Sequence, residues 1–390
     1  MNYRSLSKKI EFKPSALGFG LMRLPLKEDN TPDVEEAVKM VRYAVDNGVN
    51  YLDTAYMYHG GESEKIMANV LKDGYRKKVR IADKMPLWMV KEESDLDKIF
   101  FDQMKKLEVD KIDFYLLHAL SKESIPLFKR FNLIDWMKKK KNDGLIDYMG
   151  FSFHDKYPIF KKIIDLTDWD VCLMQFNIID IKHQAGLKGL EYAHDRGVGI
   201  IVMEALRGGQ LTMSVPHDIK KMWANMAKLC DMKEYNPAQF MLNYVWNYYQ
   251  VGCVISGMSN MEQVKQNLEY AKNSVPDSIT EPLHRLYKDI RKAYLDKIVI
   301  NCTKCDYCKI CPQKIAIPYI FDQTNEISRY QSSRTPMFRY NFLEESQRAN
   351  KCTNCRKCVS MCPQKLDIPE LIRKCSMVFD EKNEFGKIFS

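Results

Sequence analysis

Several features that would place a chain at once are missing. No apolar run approaches the ~18 residues of a membrane span. The opening stretch MNYRSLSKKIEFKPSALGFG has no apolar core of the kind that forms a secretory leader. These two observations point to a cytoplasmic protein with no membrane partner. The 60 Lys and Arg outnumber the 51 Asp and Glu, for a formal charge of +9, yet they form no basic tract. The charge is therefore no argument for a nucleic-acid partner. Wholesale disorder is excluded by 45% hydrophobic and 28% charged residues. With no sign of export, the 12 cysteines do not read as a disulfide framework.

The cysteines are unevenly placed. Cys172, Cys230, Cys253 and Cys375 stand alone and read as small packing residues. The others form two runs, Cys302, Cys305, Cys308 and Cys311, then Cys352, Cys355, Cys358 and Cys362, each followed by proline. The second run has the full bacterial [4Fe–4S] spacing; the first has two residues rather than three before its last cysteine. Zinc also takes paired Cys-x-x-Cys, but it gives no reason for the third cysteine or the terminal proline. Two [4Fe–4S] clusters are the expectation. In two-cluster ferredoxins the fourth cysteine of each run serves the other cluster. That assigns Cys302, Cys305, Cys308 and Cys362 to one cluster, and Cys352, Cys355, Cys358 and Cys311 to the other. Residues 297–390 hold 16 basic and 10 acidic side chains, so most of the charge excess sits with the cysteines. With each oxidised cluster near −2, much of it is counter-charge.

The first 296 residues alternate apolar runs with helical periodicity. Strands are expected at 16–20, 51–53, 79–84, 113–118, 148–152, 171–175, 199–203 and 252–256. Helices are expected from near Val34, Ser63, Ser94, Leu133, Ala185, Pro237 and Met261, the first capped by Asp33 and ended at Gly48. Eight strand–helix units make an α/β (β/α)₈ TIM barrel. A doubly wound sheet is the runner-up, but Gly18-Phe19-Gly20-Leu21-Met22-Arg23 lacks the third glycine of its fingerprint. The expected architecture is a barrel over 1–296 and a smaller, mostly helical ferredoxin-like iron–sulfur domain over 297–390. Periodic stretches at 318–324 and 340–348 lie between the cysteine runs.

Barrel chemistry sits where strands end, and these strands end on Asp53, Lys84, His118, Ser152, Gln175 and Met203, with Gly257 just past the last. Together with Asp53-Thr54-Ala55-Tyr56-Met57-Tyr58, Gly60, Glu62 and Glu64, this series resembles the aldo-keto reductases. Ile81-Ala82-Asp83-Lys84, the run Asp113 to His118 and Gly150-Phe151-Ser152 extend the resemblance. It implies a catalytic tetrad of Asp53, Tyr58, Lys84 and His118. Tyr58 would be the acid/base, its pKa lowered by Lys84; Asp53 would hold the lysine, and His118 would orient the carbonyl oxygen. It implies NAD(P)H as cofactor, with Ser152 and Gln175 on the nicotinamide amide. Met203 stands where the family stacks an aromatic, and Phe153 where it has Asn. Gly257 and Gln263 stand where it often has Lys and Arg for a 2′-phosphate, which leaves NAD versus NADP open; Asn267 completes the expected cofactor positions. Leu206-Arg207-Gly208-Gly209-Gln210 reads as a pyrophosphate turn. Ser259 with Glu262 reads as a capping box opening a phosphate-attracting helix. A subgroup of such reductases carries a ferredoxin-type tail, and this chain looks like a member.

The expected function is NAD(P)-linked reduction or oxidation of a small carbonyl or alcohol substrate. Hydride carries two electrons and a cluster one, so the clusters point to a redox partner protein or to a flavin, which the sequence does not show. The alternatives are an electron-transfer protein with the barrel as scaffold, and a zinc-stapled reductase.

Overall fold

The structure, a computed structural model, describes all residues except 214, 303–306, 363 and 390. Cys305 therefore lies outside the described residues. Eight parallel strands close in sequence order into a barrel: β1 Leu17–Gly20, β2 Tyr51–Asp53, β3 Arg80–Met85, β4 Ile112–Leu120, β5 Ile146–Phe153, β6 Val171–Gln175, β7 Gly199–Met203 and β8 Val251–Ser256. Apolar side chains from alternate positions fill its interior, with Tyr51, Ala82, Phe114, Leu116, Leu173 and Ile201 in one buried cluster. Leu6 and Ile10 from the N-terminal segment join that cluster. Leu6 fits because β7 and β8 open on glycine: a Cβ on Gly199 or Gly252 would lie 2.9 or 2.7 Å from it.

The first barrel helix, Val34–Asp46, shows how the sequence sets its own limits. The Asp33 carboxylate accepts from the Glu36 N–H at 3.1 Å, and Gly48 turns the chain at φ +98°, a conformation that costs glycine least. Two expectations shift. The cap before helix Met261–Ala271 is Asn260, accepting from the Gln263 N–H at 2.9 Å, and not Ser259. The Gln263 amide oxygen accepts from the Ser259 N–H at 2.9 Å, one residue before the cap, so the Ser259–Glu262 box does not form. In the tail the second helix is Arg334–Asn341, and 340–348 contributes only the short turn Glu345–Gln347.

By packing, one compact unit comprises Met1–Gly208 and Ala238–Ile279, and a second comprises Gly209–Pro237 with Thr280–Ser390. The second unit thus takes in, among the described residues, three helices that precede the boundary read at 296, the short Gln210–Met213, His217–Leu229 and Glu281–Leu295. Its core draws Ile300, Ile320, Phe321, Ile372 and Phe379 together with Cys308, Cys358 and Cys375. Each cysteine run leads into a helix with proline in its first turn, Ile317–Tyr330 and Ile368–Phe379, where its missing N–H costs nothing. No helix among the described residues is long and apolar enough to cross a membrane.

Candidate active site

Lys84, near the end of β3, is 1% exposed. Its ammonium donates to Asp53 Oδ1 at 2.6 Å and to the Thr54 carbonyl at 2.6 Å, and meets Tyr58 Oη at 3.5 Å. Three acceptors call for three N–H bonds, hence the charged form. Burial lowers the Lys84 pKa, but Asp53, Tyr58 and Asp83 more than reverse it, so the net direction is upward. Burial also raises the Asp53 carboxyl against the pull of Lys84. The 2.6 Å contact to an ammonium with two further acceptors makes the ion pair the state of the site.

Tyr58 follows β2 in a tight 3₁₀ turn, Tyr58–Gly61, in which His59 takes φ +52°. Its phenol departs from the sequence expectation. Lys84 pulls the pKa down, but burial raises it more, and Asp53 adds to the rise. The lysine charge is already answered by Asp53, so the phenol is held neutral rather than ionised. His118 stands across from it, ring centroids 6.2 Å apart and 81° between planes, with the Trp88 ring 5.1 Å from the imidazole. Burial first, then Lys84 and His154, lowers the His118 pKa to about 3. The ring is neutral at physiological pH, and its Nδ1 is buried without a hydrogen-bond partner. An orphaned acceptor is tolerated better than an orphaned N–H. This assigns the proton to Nε2, where it can be donated.

Behind Lys84 lies a second buried pair that sequence reading did not assign. Glu64 and Asp83 are both fully buried. Burial raises both carboxyls, and at Asp83, where the rise is larger, the Glu64 charge adds to burial, so the pair holds a proton. Asp83 Oδ1 accepts from the Lys84 N–H at 2.8 Å, and Gln103 Nε2 donates to the Lys84 carbonyl at 3.1 Å. The Lys84 backbone is thereby clamped from the helix side.

The residues expected to meet a nicotinamide stand at neighbouring strand ends, Gln175 paired with Met203 across β6 and β7, but Ser152 and Gln175 are engaged with protein groups. Ser152 Oγ accepts from the Ala119 N–H at 2.7 Å, which leaves its hydroxyl proton to donate. Gln175 Nε2 donates to Asp180 Oδ2 at 2.7 Å, Asn177 Nδ2 donates to the same oxygen at 2.9 Å, and Arg207 also donates to it. Burial raises Asp180, yet Arg207, His183 and Asn177 bring it down to about 2, so Arg207 is paired with an anion. Leu206 is half-buried beside it. Gly208 and Gly209 take φ +62° and +91°. A Cβ on Gly208 would lie 2.4 Å from the Arg23 guanidinium, and one on Gly257 3.1 Å from Arg23 Cβ. The cation lying along both glycine turns is thus Arg23, an exposed residue just past β1, which sequence reading passed over. Ser259 and Gln263 are exposed on the same end of the barrel, and Asn267 Nδ2 donates to Ser256 Oγ at 3.2 Å. Gln210, next after this turn, donates to Glu326 at 3.2 Å, and Glu326 pairs with Arg339 at 3.0 Å. The strand-end Arg and the β6 Asp have no spacing rule; only the glycines beside them were legible.

In the C-terminal unit, Cys311, Cys352, Cys355 and Cys358 line one cavity together with Ile315, Ile317 and Ile372. Burial raises the Cys358 thiol, and Cys311, Cys352 and Cys355 raise it further. Among the described residues no three His, Cys, Asp or Glu side chains converge on a single ion. Four thiols around a cavity suit a cubane of several irons better than zinc, which draws sulfurs to about 2.3 Å from one point. Cys308 is buried, and Cys302 and Cys362 pack on the same core.

A strand-end Lys–Asp pair beside a tyrosine and a neutral histidine, in a (β/α)₈ barrel, is the apparatus of a barrel oxidoreductase. Known proteins agree. A model described as "Aldo/keto reductase family" matches residues 16–288, and one described as "4Fe-4S dicluster domain" matches 301–366. The chain belongs to the aldo/keto reductase family and is an oxidoreductase with a C-terminal 4Fe-4S domain. Among relatives, L-galactose dehydrogenase of Arabidopsis thaliana is 26% identical over 278 residues, 66% of this chain and 84% of that protein. Probable aldo-keto reductase 1 of Glycine max is 22% identical over 284 residues, 66% of this chain and 81% of that one. The fold is shared with an aldo-keto reductase of Bacillus halodurans in its holo form, with TM-score 0.61, 22% identity and coverage of 74% of this chain and 96% of that one. It is also shared with an aldo-keto reductase of Klebsiella pneumoniae in complex with NADPH, with TM-score 0.60, 20% identity and coverage of 75% and 96%.

Proposed function

We propose that this protein reduces a small carbonyl compound at the barrel mouth with NAD(P)H, Tyr58 being the proton donor. The observation that carries this reading is Lys84, fixed between Asp53 and Thr54 at 2.6 Å each, with Tyr58 Oη at 3.5 Å. A bound nicotinamide supplies hydride to the carbonyl carbon. Tyr58 gives its phenolic proton to the carbonyl oxygen, and the phenolate left behind is stabilised by the Lys84 ammonium. Neutral His118 donates a hydrogen bond to the same oxygen and sets its direction. The phenol is neutral in the free protein, which suits an acid poised for reduction rather than a base for oxidation.

The residues fit a dinucleotide. Gly208 and Gly209 open their N–H groups in left-handed turns, and the Arg23 guanidinium brings positive charge against Gly208, its stem lying along Gly257. Ser152 retains a donor for the amide.

The C-terminal module, in this reading, holds two [4Fe–4S] clusters, one on Cys352, Cys355, Cys358 and Cys311, the other on Cys302, Cys305, Cys308 and Cys362. The shared cavity of the first four thiols supports the crossed assignment. Carbonyl reduction by hydride has no use for a one-electron carrier, so the clusters serve exchange with a redox partner, and no flavin is required.

A second reading, an electron-transfer protein with an idle barrel, draws on one observation: the Gln175 amide is taken by Asp180. Tyr58→Phe separates the two. In the reductase, kcat for a small aldehyde falls about 10²- to 10⁴-fold while NADPH binding holds. If the variant keeps full activity, or NADPH does not bind the wild type, the reductase reading fails.

A further inference from the structure

We propose that the face of the C-terminal module formed by the two cysteine runs is the docking surface of a one-electron carrier protein with an acidic face. This rests on the reading that the module holds [4Fe–4S] clusters. Among the described residues of 302–315 and 352–366, five side chains are basic, Lys309, Lys314, Arg356, Lys357 and Lys365, and none is acidic. Arg356 is paired with Asp367 at 3.3 Å. Lys314, Lys357 and Lys365 are exposed, and among the described residues none of them forms an ion pair.

The two runs present their lysines alike. Each ends Cys-Pro-Gln-Lys, and the two lysines take left-handed φ values of +57° for Lys314 and +52° for Lys365. The turn Tyr307–Ile310 packs against the helix Lys357–Ser360. Beside these elements Ile310 and Met361 are 54% and 43% exposed, adjacent in sequence to Cys311 and Cys362. Apolar side chains on a lysine-rich surface suit a small, transient electron-transfer encounter.

Cys355, one of the four cavity thiols, is itself exposed. A cluster held by these thiols would have an exposed ligand in Cys355, through which a docked donor's electron could enter without either chain unfolding. The step is one electron: the partner's reduced centre loses it, the oxidised cluster gains it, and no bond or proton moves. Charge selects the occupant. An acidic carrier is steered onto this face, and a basic one is repelled.

The lysines have an ordinary alternative role as counter-charge for anionic clusters, and the test separates the two. Anaerobic holoprotein is mixed in stopped flow with reduced plant-type [2Fe–2S] ferredoxin, an acidic carrier, and cluster bleaching is followed as salt is raised. The same is done with Lys314→Glu/Lys357→Glu/Lys365→Glu, and both proteins are also reduced by a small zwitterionic viologen. The expected result is a wild-type ferredoxin rate that falls steeply with salt. The charge-reversed protein should be slower by at least about tenfold at low salt, with viologen rates equal within about twofold and equal iron contents. Ile310→Ser, which leaves the charges alone, should slow ferredoxin and not viologen. Equal ferredoxin rates without salt dependence overturn the proposal, as does a shifted cluster potential with no change in salt dependence, or faster exchange with basic cytochrome c. If viologen reduces no clusters in the wild type, it is the iron–sulfur reading that has failed.

Discussion

In the barrel, the reactive groups are held by one another; in the tail, they are held apart. Lys84 is answered by Asp53, Thr54 and Tyr58, all within 3.5 Å, and its backbone is clamped by Asp83 and Gln103. Cys311, Cys352, Cys355 and Cys358 instead ring a cavity, packed on a core of which Cys308 and Cys358 are themselves part. Protein hydrogen bonds alone complete the first site. The second gains its central bonds only from iron. The barrel site is therefore pre-organised, and the tail is a metallo-domain whose folding energy is partly inorganic.

The largest effect is expected from taking away iron. Cys352→Ser with Cys355→Ser should cut iron to about half and melt the helix Ile368–Phe379, since structural metal sites supply about 10 kcal/mol or more. Circular dichroism and iron analysis check this, and full helicity in the iron-poor protein would break the contrast. Lys84→Met comes next. It leaves Asp53 as an unpaired buried charge, so stability should fall by about 3–5 kcal/mol in denaturant melts, with reductase activity lost. A loss below 1 kcal/mol would mean that the pair is not what fixes the site.

Arg23→Ala should raise the KM for NADPH about 10- to 100-fold, as expected for losing one charged hydrogen-bond donor, with kcat nearly unchanged. An unaltered KM would return the phosphate role to Arg207.

The smallest effect is the flattest. His118, at about 3, and Tyr58, raised above its usual 10, leave the active-site protonation unchanged between pH 6 and 9, so kcat should be level there and fall only above pH 10. Stability behaves differently. The unfolded chain binds a proton at His118 below about 6.5 while the folded chain does not. Stability should therefore drop as pH falls from 6.5 toward 3. For Tyr58 the unfolded chain loses its proton first, so stability also drops above pH 10. A bell-shaped kcat profile centred near neutrality would contradict both assignments.

The barrel was legible because short apolar runs, several with a polar residue at or near their ends, alternate with helical periodicity eight times. All eight were placed within about two residues, β4 running on to Leu120 through a register shift that spacing does not reveal. Asp53, Lys84 and His118 stood out as polar residues at strand ends, whereas Tyr58, in the turn after β2, was singled out only by the family resemblance. What was hidden depends on three dimensions. Whether Lys84 or burial governs Tyr58 is a contest between terms that only packing sets. Asp180 takes up Gln175 and Arg207 from a loop with no motif, and Arg23 is recognisable only from the glycines it lies on. In the tail the cysteine spacing pointed to the cysteines that line one cavity, Cys311 with Cys352, Cys355 and Cys358, whereas the helix at 334–341 was misplaced because short, polar stretches carry weak periodicity.

The most direct test of this division is an anaerobic titration of the holoprotein with NADPH and a small aldehyde, following nicotinamide and cluster absorbance together. The expected result is one alcohol formed per NADPH consumed, with cluster absorbance constant. Bleaching of the clusters by NADPH alone, with no alcohol formed, would contradict it.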